Sequence, residues 1–130
     1  MDMNLTGKTA LVCGSSQGIG KASAMALAAL GANVVLLARN KESLAAAVQD
    51  LPASGGQHHT FLVADFSKTA EVKTVVSDFL SDGKTIHILV NNTGGPEGGP
   101  ITEAQGEAFV EAFQNHLVNN QNLTQLVFPG

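Results

Sequence analysis

Tryptophan and tyrosine are absent from this chain of 130 residues, and cysteine and arginine occur once each, at Cys13 and Arg39. One cysteine cannot close an internal disulfide, so packing must hold the fold, and the composition suits a reducing compartment such as the cytoplasm. Charge is also scarce: 14% of residues, with 7 Lys plus Arg against 11 Asp plus Glu and a net charge of −4. Polyanion binding needs a basic stripe, and these cations are scattered singly, so no nucleic-acid partner is expected. No apolar run approaches the ~18 residues of a membrane span. The opening MDMNLTGKTA lacks the basic and apolar regions of a signal peptide, so neither membrane nor secretion is expected. What is abundant is hydrophobic, at 44%. That is too much for a disordered tail, and the length suits one domain or a piece of one.

Strands and helices alternate along the chain. Lys8 to Cys13 is a short apolar run that stops at Gly14, as a buried strand does. Gly18 to Leu30 is alanine-rich and closes at Gly31, a helix C-cap. Asn33 to Ala38 has the composition of a strand covered on both faces. Asn40 suits the N-cap of a helix carrying Leu44, Val48 and Leu51, which exits through Pro52 and Gly55-Gly56. Thr60 to Ala64 predicts a third strand, with Ser67 as N-cap of the next helix. There Val72, Val75, Val76, Phe79 and Leu80 form the clearest amphipathic stripe. Ile86 to Val90 predicts a fourth strand, running into the glycine- and proline-rich NNTGGPEGGP. Thr102 with Gln105 forms a capping-box pattern that opens a long helix through Phe109, Phe113 and Leu117 to about Phe128. The order β-α-β-α-β-α-β-α, with short connections, implies an α/β fold: a Rossmann-like, doubly wound parallel sheet with helices on both faces, in three layers.

Gly14-Ser15-Ser16-Gln17-Gly18-Ile19-Gly20 falls between the first strand and first helix. Glycines there permit a tight turn and let a phosphate approach backbone amides at a helix N-terminus. A nucleoside-triphosphate loop, G-x-x-x-x-G-K-[ST], would need Gly at position 15 and Ser or Thr at 22; Ser15 and Ala22 exclude it. At the end of the second strand a free ribose 2′-hydroxyl would call for Asp or Glu, and the residue is Arg39. A guanidinium suits a 2′-phosphate, which favours NADP(H) over NAD(H) and disfavours a methyltransferase with a similar loop.

CGSSQGIG resembles the T-G-x-x-x-G-I-G loop of the short-chain dehydrogenase/reductase family, with Cys13 where Thr or Ser is usual. Asp65-Phe66 resembles the family's adenine-contacting pair, and Asn91-Asn92-Thr93-Gly94 its N-N-A-G segment. The closest look is the 3-oxoacyl-(acyl-carrier-protein) reductase type, which reduces a ketone with NADPH. The resemblance covers the whole chain but only about the first half of a typical member, so 1–130 is expected to be the N-terminal portion of an NAD(P)-binding Rossmann domain. It assigns cofactor binding to Gly14, Ser15, Ser16, Gln17, Gly18, Ile19, Gly20, Arg39, Asn40, Asp65, Phe66, Asn92, Thr93 and Gly94, and implies a small carbonyl or alcohol substrate.

The family's proton donor is a Tyr with a Lys four residues on, beside a carbonyl-polarising Ser. A chain without Tyr cannot contain Y-x-x-x-K, so these 130 residues alone are expected to be inactive. A fourth family residue, an Asn that helps hold a water, falls at His116 when counted back from Leu123, Thr124 and Pro129; Asn115 or Asn119 takes the slot only if the register shifts. His116 is therefore the one catalytic candidate. The last helix is expected to carry a homo-oligomer contact, as dimer or tetramer, with Asn119 to Asn122 a polar cluster on it. A non-catalytic dinucleotide-binding or assembly module is the alternative.

Other chemistry-bearing residues fit plainer roles. Cys13 has no basic neighbour and suits buried packing. His58 and His59 would point to opposite faces of a strand, and with no third ligand nearby no metal is expected. His87 stands where the family often has Asp and is read as structural.

Overall fold

A computed structural model of the chain describes residues 3–93 and 99–129. Four strands, β1 (Thr9–Cys13), β2 (Asn33–Ala38), β3 (Thr60–Val63) and β4 (Ile88–Val90), form one parallel sheet in the order β3-β2-β1-β4. Successive strand residues face opposite sides, and each side carries its own core. Ala10, Val12, Val34 and Leu36 pack with Ala24, Ala28, Leu44 and Ala47 of helices α1 (Gly18–Ala29) and α2 (Lys41–Asp50). Leu11, Cys13, Val35 and Leu37 pack with Val72 and Val76 of α3 (Thr69–Ser81) and Leu123 of α5 (Asn119–Val127). The small alanines of α1 let it lie close to the sheet, while α3 uses β-branched residues on its buried stripe. Burial pushes the Cys13 thiol up to about 12, with Asn92 opposing slightly, so it remains an uncharged packing group.

The termini of these elements are set by local chemistry. Asn40 Oδ1 accepts from Ser43 N at 2.9 Å and caps α2. Gly31, at φ 104, turns the chain out of α1, a backbone conformation side chains disfavour. One expectation fails here. Ser67 is not the N-cap of α3: Lys68 holds that place, and the Ser67 hydroxyl and N–H both donate to Asp65 Oδ1. His58 and His59 precede β3, which begins at Thr60 as expected. His59 Nδ1 accepts from Val34 N at 3.1 Å while its Nε2 faces the Pro52 carbonyl at 2.7 Å. His87 Nδ1 accepts from Thr9 N at 3.0 Å, which makes it the structural group expected of it.

The last helix also differs from its expected form. Thr102 and Gln105 build no capping box; Ile101–Glu103 is a 3-10 turn, and Gln105 precedes α4 (Gly106–Ala112) without a side-chain cap. Between α4 and α5 the chain widens into a π-helical segment, Phe113–Val118. Such a segment takes one more residue per turn and rotates the flanking faces against each other. Among the described residues β4 pairs with β1 alone, and a cleft of about 700 Å³ runs along its other side past Ile86, Leu89, Thr124 and Val127.

Candidate functional site

Where the sheet order reverses, between β1 and β4, the carboxyl ends of the strands open into a cleft of about 580 Å³. Open α/β sheets bind their ligands at this switch point. The Gly14–Gly20 turn forms one wall. Gly14 and Gly18 take φ of 59° and 63°, left-handed conformations that glycine adopts freely. A Cβ on Gly14 would strike the Asn92 carbonyl, and one on Gly20 the Gly14 carbonyl, so the turn is packed backbone against backbone. Asn92 Nδ2 donates to the Gly14 carbonyl at 3.2 Å and ties β4 to the turn. Ser15 is fully buried beneath it, and its Oγ accepts from Leu37 N at 3.1 Å. α1 begins with no side-chain cap on its first amides among the described residues and no acid in its first turn, which leaves it suited to an anion.

Arg39 and Ala38, at the end of β2, form the next stretch of wall, followed by Asp65, Phe66 and Ser67 after β3. Arg39 is exposed and makes no ion pair or hydrogen bond among the described residues. The Ser67 hydroxyl and N–H beside Asp65 hold its carboxyl below the usual carboxylate range, with Lys68 and Arg39 adding smaller pulls. Asp65 thus stands ionised at neutral pH, with Oδ1 already engaged.

The far wall comes from Asn92 and Thr93 and from Glu111 and Asn115 on the last helix. Thr93 Oγ1 lies 2.6 Å from His116 Nδ1. Among the described residues Asn115 Oδ1 is buried without a partner, and so is Oδ1 of Asn119, whose Nδ2 donates to the Phe66 carbonyl at 2.6 Å.

Of the residues singled out in the sequence, Gly14, Ser16, Gln17, Gly18, Ile19, Arg39, Asp65, Phe66, Asn92 and Thr93 line this one cleft. Ser15 and Gly20 support it from behind. Asn40 does not line it, its side chain being spent on the cap of α2. Among the described residues His116 reaches it through Thr93. Gly94 lies outside the described residues. Asn115, named from the sequence only as the shifted-register alternative to His116, lines the cleft; Glu111 also lines it and was missed, having left no signal.

A parallel sheet of this order with a glycine turn at its switch point defines a Rossmann-type nucleotide fold. The chain belongs to the short chain dehydrogenase family, whose profile matches residues 8–130. It is 41% identical over 123 residues to the 3-oxoacyl-[acyl-carrier-protein] reductase of Chlamydia trachomatis, covering 95% of this chain and 50% of that one. It is 40% identical over 126 residues to the human inactive hydroxysteroid dehydrogenase-like protein 1, covering 95% and 38%. The structure of Gluconobacter frateurii L-sorbose reductase, complexed with NADPH and L-sorbose, matches with a TM-score of 0.89 at 32% identity, covering 99% of this chain and 49% of that one. The chain thus spans half or less of the length of these relatives.

Proposed function

We propose that this chain is the dinucleotide-binding portion of an NADP(H)-dependent short-chain reductase that moves a hydride between the cofactor and a carbonyl or alcohol, a 3-oxoacyl thioester being one such substrate. The observation that carries this reading is Arg39, with no ion pair among the described residues, on the wall of the cleft that the glycine turn opens. A carboxylate there would repel a 2′-phosphate; the guanidinium offers it paired donors. Ser16, Gln17 and the first amides of α1 would hold the diphosphate, Asp65 and Phe66 the adenine, and Asn92 and Thr93 the ribose and nicotinamide. Bound NADPH supplies the hydride. The proton that must reach the substrate oxygen comes, in the resemblance, from a Tyr-Lys pair that these 130 residues do not include, so this chain is assigned binding and orientation.

On the last helix, the added residue of the π segment supports a one-position shift from the simple count. Asn115, which lines the cleft with its Oδ1 unpartnered, takes the place in the site that counting gave to His116, and His116 acts from behind Thr93. The same helix exposes Phe109, Phe113 and Leu117 at 54%, 56% and 59% on positions i, i+4 and i+8, the face we assign to a homo-oligomer contact.

Calorimetric titration with NADPH and NADH tests the cofactor reading. NADPH is expected to bind more tightly, and Arg39→Ala to weaken NADPH by about tenfold, or ~1.4 kcal/mol, while sparing NADH. Equal binding of both nucleotides by the unaltered chain removes the NADP assignment. A non-catalytic module is the second reading, favoured by the absence of Tyr; cofactor binding without NADPH oxidation across a carbonyl panel supports it.

A further inference from the structure

We propose that His116 sets the hydrogen-bond polarity of Thr93 toward the cofactor cleft, making Thr93 an acceptor when the imidazole is neutral and a donor when it is charged. The inference rests on the cleft being a dinucleotide site and adds a control on it that the glycine turn and Arg39 do not supply.

The geometry is a two-link chain. Thr93 lines the cleft, and its Oγ1 lies 2.6 Å from His116 Nδ1, while His116 itself is not among the lining residues. A distance this short holds one hydrogen between the two atoms. A threonine hydroxyl has one hydrogen and two lone pairs, so the side that takes its hydrogen fixes what the other side meets. With Nδ1 bare, Thr93 donates to His116 and turns lone pairs to the cleft. With His116 an imidazolium, Nδ1–H donates to Thr93, and the hydroxyl hydrogen is free to point into the cleft. The contact survives both states; only its direction reverses. Imidazole is the side chain that ordinarily exists in both charge states between about pH 5 and 8.

Of the ligand groups proposed for this end of the cleft, the carboxamide N–H₂ can only donate, whereas the ribose hydroxyls both donate and accept. An acceptor at Thr93 complements the N–H₂, and a donor opposes it. Dinucleotide affinity should therefore decline as His116 takes up its proton. Charged groups on the same cleft, among the described residues, are Glu111 on α4, Asp65 after β3 and Arg39 after β2. Asp65 keeps its charge throughout this range because Ser67 holds its carboxyl low.

The experiment is NADPH titration of the full chain between about pH 5.5 and 8, with Thr93→Val, Thr93→Ser, His116→Asn and Glu111→Gln compared. The unaltered chain is expected to lose about three- to tenfold more affinity on acidification than Thr93→Val, the size of one neutral hydrogen bond reversed. His116→Asn should match Thr93→Val, whereas Thr93→Ser and Glu111→Gln should keep the full slope. Titration of the ligand's own 2′-phosphate is common to all five and cancels in the ratio. A slope that persists in Thr93→Val or His116→Asn, or disappears in Glu111→Gln, overturns the proposal. If no dinucleotide binds at any pH, the functional reading falls instead, and ring nitrogen-15 shifts of His116 decide the pair without a ligand. A bare Nδ1 at about pH 8 that changes its shift in Thr93→Val is expected. A protonated Nδ1 there overturns the proposal.

Discussion

Ser15 shows how much the cofactor turn depends on one hydroxyl. Leu37 sits where β1 has just left the sheet for the turn, so its N–H has lost a strand partner and takes Ser15 Oγ instead, in a fully buried position. The Gly14 N–H returns a bond to the Leu37 carbonyl at 2.9 Å, and the two together pin the turn to β2. Ser15→Ala removes an acceptor and strands a buried donor, an expected loss of about 1–3 kcal/mol in urea unfolding. Because Ser15 is not in the cleft wall, NADPH affinity should fall through misplacement of Ser16 and Gln17 and not through a lost ligand contact. An unchanged unfolding midpoint would show that Leu37 finds another partner. The residue type at position 15 was legible as part of a phosphate turn; its burial was not, because nothing local in GSSQGIG marks which serine faces inward. Asp65 shows a different side of residue-scale chemistry. Its folded carboxyl is held below the ordinary value by Ser67, so its contribution is complete above the unfolded carboxylate range and is lost as pH falls through the lower folded value.

Elements were read more securely than their ends. The strands could be placed from apolar runs that stop at Gly14, Arg39, Asp65 and Asn91, because a strand buried on both faces leaves little room for polar residues. The cap of α2 was legible too, since Asn40 carries its own hydrogen-bond acceptor into the turn. Ser67 was misread because Asp65, two residues earlier, competes for its hydroxyl, a contest invisible to a rule that treats each cap singly. The π segment was beyond reach: Phe113–Val118 carries no local breaker, and the widened turn goes with tertiary bonds, Asn119 Nδ2 donating to the carbonyls of Phe66 and Asn115. Asn40 gives a direct test of the division between scaffold and site. Asn40→Ala is expected to cost about 1 kcal/mol through the lost cap and to leave the ratio of NADPH to NADH affinity unchanged. A collapse of that ratio would return Asn40 to the cofactor site, where the family resemblance had put it.

At the scale of the whole molecule, two surfaces stand out. One is the open side of β4, with its cleft of about 700 Å³, where unpaired strand groups and apolar side chains meet. The other is the row Phe109, Phe113 and Leu117, each more than half exposed on one helix. Their chemistry differs. A strand edge associates through backbone bonds that side-chain changes barely touch, whereas the helix row associates through apolar area alone. The two can therefore be separated. In sedimentation velocity the chain is expected to show concentration-dependent association, and Phe113→Lys with Leu117→Lys should reduce it markedly by placing charges where apolar contact is required. Both positions are exposed, so the double variant should unfold at nearly the same urea concentration as the parent. Association that persists undiminished in that variant would shift the contact to β4, and His116 offers an internal check on this outcome. The lysines lie on the helix that carries His116, so a Thr93–His116 link that keeps its ring nitrogen shifts in the double variant shows that the site face and the association face of this helix act independently.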